Sequence, residues 1–171
     1  MRIIAVNPGW RHTGIALFRG WELDDWMVKS LRRRTVDEVY FDMTGILDDL
    51  VDTNGSEVLA IKRLHPARSS ENLRELTRRL KVWAARKGLL VCEYSIKEIE
   101  TFLLSSGRLN KTRLMEEAAA RYPILYSELE KERRCKSHYF DRLFEVIALG
   151  IICLTKLEEE SSKGRLITIK K

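Results

Sequence analysis

Met1-Arg-Ile-Ile-Ala-Val-Asn7-Pro8-Gly9-Trp-Arg-His-Thr-Gly14-Ile-Ala-Leu-Phe18 is an apolar run, a polar stop, a Pro-Gly turn and a second apolar run. Short apolar runs bounded by turn residues read as strands, and Pro-Gly is a strong turn signal. The stretch predicts a strand over 2–6 that delivers Asn7 to its exposed end, then a hairpin back along the sheet over 14–19. Arg19-Gly20 turns the chain again into a third strand over about 21–31. The chain therefore opens on three antiparallel strands.

The pattern then changes period. Thr35-Val-Asp-Glu38 fits a capping box, in which Glu38 reaches back to the cap N–H. Val36, Val39, Tyr40, Met43, Ile46, Leu47 and Leu50 follow on one helical face, and Asn54-Gly55 ends it. Val58-Leu-Ala-Ile61 is short and unbroken, as expected of a strand buried on both faces. Ser69 or Ser70 starts a second helix, with Leu73, Leu76, Leu80, Trp83 and Ala84 inward and Gly88 as its stop. Leu89 to Tyr94 is a fifth strand. Ser95 caps a short helix to Leu104, and Asn110 caps another through Tyr122, before Pro123. Glu128 to Lys136 reads as a charged loop. The last helix starts at Ser137, with Phe140, Leu143, Phe144, Ile147 and Ile151 on its apolar face. Strands first, then helix and strand in alternation, describe an α/β fold: a central mixed five-stranded sheet with helices on both faces. The expected organisation is one domain over 1–157 and a charged tail over 158–171, in which Leu166 to Lys170 is a candidate edge strand.

At 171 residues such a domain has a core large enough to need no metal or disulfide staple. Lysine and arginine total 31 against 25 acidic residues, a formal net charge of +6 that suits a polyanionic partner without proving one. Cys92, Cys135 and Cys153 are an odd number with no CxxC spacing, which fits a reducing cytoplasm. No apolar stretch approaches the roughly 20 residues of a membrane span. The first apolar run is too short, and lacks the basic flank, for a signal peptide.

Several short motifs now fall in order: Asn7-Pro-Gly9 with Thr13-Gly14, Ala60-Ile61-Lys62, Glu71-Asn-Leu-Arg74, Glu93 to Ile99, Gly107-Arg108 with Lys111, and His138 with Asp141. In this order and spacing the chain resembles the RuvC-type Holliday junction resolvases, members of the RNase H-like nucleases, from Ile3 to about Leu154. The resemblance implies an RNase H-like fold and two Mg²⁺ ions held by carboxylates against a phosphodiester. It also implies a homodimer matched to a four-way junction, since oligomer symmetry mirrors the target's. The positions matching the family's catalytic site are Asn7, Lys62, His138 and Asp141.

Two of the four depart from the pattern. Asn7 stands where the pattern has aspartate, and Lys62 where it has glutamate. Magnesium takes hard oxygen ligands in strict geometry. An ammonium about 4 Å from Mg²⁺ is repelled by roughly 8 kcal/mol at an effective dielectric near 20, before side chains relax. The replacements argue against Mg²⁺, the cofactor the resemblance implies, and leave Asp141 and Glu145, four apart on one helical face, as weak metal ligands. Taken singly, the residues have plainer readings. Asn7 is a turn initiator before Pro8, Lys62 a solvated strand end, and His138 a locally bonded helix start. Asp141 and Glu145 would then be a solvated face.

The resemblance makes Arg63, His65 and Arg68 after the central strand, and Arg108, Lys111 and Arg113 at the later turn, candidate DNA contacts. Arginine and lysine at such positions grip phosphates. Arg74, Arg78, Arg79 and Lys81 add basic character to the second helix, whereas Glu100 is acidic where many relatives are basic. The leading expectation is a protein that binds four-way or branched DNA and cleaves it weakly or not at all. The alternatives are an active Mg²⁺-dependent junction endonuclease using the remaining ligands, and an adaptor without nucleic acid, because fold alone does not fix function.

Overall fold

The computed structural model describes residues 1–31, 35–103 and 110–163. Five strands form one sheet: β1 (Arg2–Asn7), β2 (His12–Arg19), β3 (Glu22–Ser30), β4 (Val58–Arg63) and β5 (Leu90–Ser95), in the order β3-β2-β1-β4-β5. The first three pair antiparallel, and β4 and β5 join in parallel register, with Val6 opposite Ile61 and Lys62 opposite Tyr94. Parallel register sends the ends of β1, β4 and β5 to the same edge, where β2 starts and β3 finishes. This edge holds the site.

Helices cover both faces, and strand alternation sorts the core into two layers. Ile4, Val6, Ile15, Leu17, Leu59 and Ile61 point one way, against α1 (Val36–Asn54) and α2 (Glu71–Arg86). Ile3, Ala5, Ala16, Phe18, Val58 and Ala60 point the other way. They meet α3 (Ile96–Leu103), α4 (Lys111–Arg121), α5 (Tyr126–Arg134) and, across the middle, α6 (His138–Ser162). The period-2 alternation of a two-sided strand thus builds both layers at once.

The caps read from the sequence form as chemistry requires. Thr35 and Glu38 make both bonds of the capping box, and Gly55 closes α1 in the left-handed conformation at φ 61°. Ser70 and Asn110 accept from Leu73 and Arg113 N–H groups at the starts of α2 and α4. Two glycines let α6 approach the sheet. A Cβ on Gly14 of β2 would lie 2.5 Å from the Arg142 carbonyl oxygen, and one on Gly150 would lie 2.0 Å from the Phe18 ring.

Two segments differ from expectation. The stretch read as a charged loop from Glu128 is, as far as Arg134, part of α5, entered through a short 3-10 turn at Pro123–Leu125. Leu125 and Leu129 are buried and anchor it, while Glu128–Lys131 and Glu130–Arg133 pair at three-residue spacing along its outer face. The last helix also runs on to Ser162, through the expected start of the tail at 158. Leu166 to Lys170 lie outside the described residues. No described helix is long and apolar enough to cross a membrane.

Candidate nucleic-acid site at the end of the sheet

Asn7 is the last residue of β1 and is fully buried. Its side-chain amide is used at both ends. Nδ2 donates to Glu145 Oε2 at 2.8 Å, and Oδ1 accepts from the Arg142 guanidinium at 2.9 Å. The same Arg142 nitrogen also reaches the Pro8 carbonyl at 3.4 Å. Thr13 pins the turn behind it: its hydroxyl donates to the Gly9 carbonyl at 3.2 Å and accepts from Gly9 N–H at 3.3 Å. Asn7 is therefore more than a turn initiator. It is the buried hub that ties β1 to two consecutive turns of α6.

Lys62 leaves β4 on the same face of the sheet. Its ammonium meets Glu145 Oε2 at 2.5 Å, with only 16% and 15% of the two side chains exposed. One carboxylate oxygen thus accepts from both Lys62 and Asn7. The two positions that depart from the family pattern are joined through a third residue. The reading of Lys62 as a solvated strand end is corrected by this contact: the helix facing the strand supplies a counterion, and a partly buried charge takes the partner offered.

The second carboxylate on α6 has its own cation. Asp141 Oδ2 accepts from Lys111 Nζ at 2.7 Å and lies 3.4 Å from His138 Nδ1. Glu100 of α3 joins Lys111, Asp141 and Glu145 in lining a small cleft floored by Ile96, Leu114 and Met115. Burial, and then the nearby Glu145 charge, raise the Glu100 carboxyl above its ordinary range, while Lys62 opposes them. Three cationic side chains, Lys62, Lys111 and Arg142, thus intersperse with these acids.

These residues do not fit a pair of magnesium ions. Such ions need carboxylate oxygens that are free to face them. Here the Glu145 oxygen nearest positions 7 and 62 is occupied by an ammonium and an amide, and Asp141 is paired to Lys111. Among the described residues, no three His, Cys, Asp or Glu side chains converge as a metal site.

The expected DNA contacts scatter around this centre. Arg63 bridges the end of β4 to α3, donating to the Glu93 carbonyl at 3.1 Å and to Glu98 at 3.3 Å. His65 and Arg68 are exposed on the turn after β4, where His65 Nδ1 accepts from Ala67 N–H at 3.2 Å. Arg113 lies in the first turn of α4 and Lys111 is engaged with Asp141, while Arg108 falls outside the described residues. On α2, Arg78, Arg79 and Lys81 are committed to Glu75, Asp37 and Glu93. Arg142 was not anticipated. In the sequence it is one polar residue within an amphipathic helix, and only the packing of α6 over β1 shows its partner.

No protein-family model matches the chain, and no characterised protein matches it in sequence. Solved structures do resemble it. RuvC of Thermus thermophilus is 13% identical, with a TM-score of 0.68 over 93% of this chain and 97% of that one. The T. thermophilus RuvC in complex with Holliday junction substrate is 12% identical, with a TM-score of 0.65 over 96% and 97%. The fowlpox virus resolvase with its substrate Holliday junction DNA is 16% identical, with a TM-score of 0.57 over 92% and 99%. The chain has the RNase H-like fold of these resolvases.

Proposed function

We propose that this protein binds four-way or branched DNA as a homodimer and holds it without metal-dependent cleavage. The observation that carries this reading is the ion-paired cluster of Lys62, Glu145 and Asn7, capped by Arg142. In a two-metal nuclease, divalent cations neutralise clustered carboxylates and stabilise the attacking and leaving oxygens. In this chain, the ammonium groups of Lys62 and Lys111 already neutralise Glu145 and Asp141. The scaffold therefore meets a phosphodiester without the repulsion that an acid cluster would present, and without the ions that would activate water. Phosphate neutralisation by lysine and arginine is the main source of DNA affinity.

The resolvase fold, together with two neighbours captured on Holliday junction DNA, favours a branched target over linear duplex. The two-fold symmetry of a homodimer would match such a junction.

A labelled four-way junction, incubated with and without Mg²⁺ and read for both retention and nicking, tests the proposal. The expected result is salt-sensitive binding that persists in chelator and prefers the junction to linear duplex, with no nicking in Mg²⁺. Robust nicking would mean that Asp141 and Glu145 recruit metal despite their partners. Absence of binding would leave the adaptor reading.

A further inference from the structure

We infer that the end of the sheet carries a second set of phosphate contacts, Arg11 and Lys29, on the β2–β3 side of the blocked site. Together with Arg68 they form a row that takes the sugar–phosphate backbone of one duplex arm. The inference rests on the proposed DNA binding and adds to it a surface that the family motifs did not indicate.

The cations near this end fall into two classes. Lys62, Arg63 and Lys111 each hold a carboxylate of this chain. Any phosphate approaching them competes with an acid already in place. Arg11, Lys29 and Arg68 are exposed and form no ion pair with a described residue. A lysine or arginine without an internal counterion is free to neutralise a phosphate, which releases cations condensed on the DNA, and that release drives binding.

The strand register places these three along one edge. Arg11 lies in the turn between β1 and β2, and its carbonyl accepts from Leu31 N–H at 2.9 Å. Lys29 sits opposite Thr13 near the end of β3. One pair further along, His12 and Ser30 are joined by a 3.0 Å side-chain hydrogen bond that fixes the register there. At the other side, Arg68 closes the turn after β4 through its N–H to the His65 carbonyl at 3.2 Å, and Arg74 braces that turn through the Pro66 carbonyl at 3.4 Å. Neighbouring strands lie about 4.8 Å apart, so the row from β3 to β4 spans roughly 14 Å. That length faces several phosphates of a strand that advances about 3.4 Å per nucleotide. Arg142, half-buried and bonded among the described residues to neutral oxygens, adds positive potential at the middle of the row.

The test uses the full chain with a labelled four-way junction titrated across a salt series. Arg11→Glu with Lys29→Glu should lower affinity at least tenfold. The equivalent charge-keeping pair, Arg11→Lys with Lys29→Arg, should retain it. The neutral pair Arg11→Gln with Lys29→Gln should flatten the plot of log K against log salt by about two units. Arg86→Glu, at the C-terminal end of α2 away from this edge, changes net charge as much as Arg11→Glu alone, serves as the control for that single reversal and should leave affinity close to the parent's. If the parent binds and Arg11→Glu with Lys29→Glu binds equally well, or if Arg86→Glu costs as much, the row is overturned while DNA binding stands. If the parent binds no junction at all, the proposed function falls, and the row with it.

Discussion

Two ion pairs of equal length behave as opposites in this molecule. Lys62–Glu145 at the end of the sheet and Arg79–Asp37 between α2 and α1 both measure 2.5 Å. The first pair is about 15% exposed on each side, whereas Asp37 is 68% exposed. Distance therefore says little about what a salt bridge does. On the α2 surface, Glu75 illustrates the point further: hydrogen bonds from Arg78 and then Arg79 hold its carboxyl down to about 2, yet 35% of its side chain stays open to solvent. Exposed pairs of this kind are screened and spend side-chain entropy to form. At the sheet end, removing one partner strands a charge away from water. Glu145→Leu should destabilise the fold by about 3 kcal/mol, because Lys62 and the Asn7 amide both lose their acceptor. Lys62→Met with Glu145→Leu should recover part of that loss, since replacing both members of a buried pair with apolar groups is close to neutral while the buried Asn7 amide still lacks its acceptor. Glu75→Ala should change urea midpoints no more than other surface substitutions do. If Glu145→Leu is equally mild, the two regions do not differ as described.

The same comparison bears on metal. If internal cations occupy the sheet end, millimolar Mg²⁺ should leave the thermal midpoint of the parent protein unchanged. Introducing acids at positions 7 and 62 alone should not be enough. Arg142 donates to position 7 and would pair with a carboxylate there as readily as it now holds the amide. The variant expected to respond is therefore the triple one, Asn7→Asp with Lys62→Glu and Arg142→Ala. It should gain Mg²⁺-dependent stability of about 1.4 kcal/mol at ten times Kd. Calorimetry in Mg²⁺ and in chelator measures this directly. An equal response from the variant that keeps Arg142 would show that the guanidinium is no obstacle.

Much of the fold was legible because burial imposes period. The unbroken run at Val58–Ile61 marked a strand covered on both sides, and the single-face apolar spacing of Val39, Met43 and Leu47 marked α1. Helix α5 was hidden for the converse reason. It buries little beyond Leu129 and is held by pairs of charges that also suit a loop. The resemblance pointed to four positions at the sheet end and marked Asn7 and Lys62 as departures from the resolvase pattern, and Glu145 stood out as an acid four residues beyond Asp141. Their mutual contact could not be read, because Lys62 and Glu145 are 83 residues apart and meet only through the rotation of α6 over the sheet. Arg142 carried no such signal: its guanidinium meets Gly9, and its backbone Gly14, only once α6 has packed on the sheet.

Glu100 gives the smallest of these effects and the one most sensitive to sign. Its carboxyl is raised by burial first and by the Glu145 charge second, so the folded protein holds this proton more tightly than the unfolded chain does. A group raised in this way favours the fold fully below its unfolded value, near 4.3, and loses that contribution as pH climbs through the folded value. Above the folded value, Glu100 thus carries a charge that the fold would prefer not to hold. Glu100→Gln keeps the shape and removes the charge. It should raise the thermal midpoint modestly at pH 7, with the gain shrinking towards zero as the pH falls below the ordinary carboxylate range. Unfolding curves of the parent and variant, collected at both pH values, give the comparison. A gain of equal size at both would trace to packing or hydrogen bonding, and a loss at pH 7 would mean that Lys62 outweighs burial and Glu145 in setting the charge at this end of the sheet.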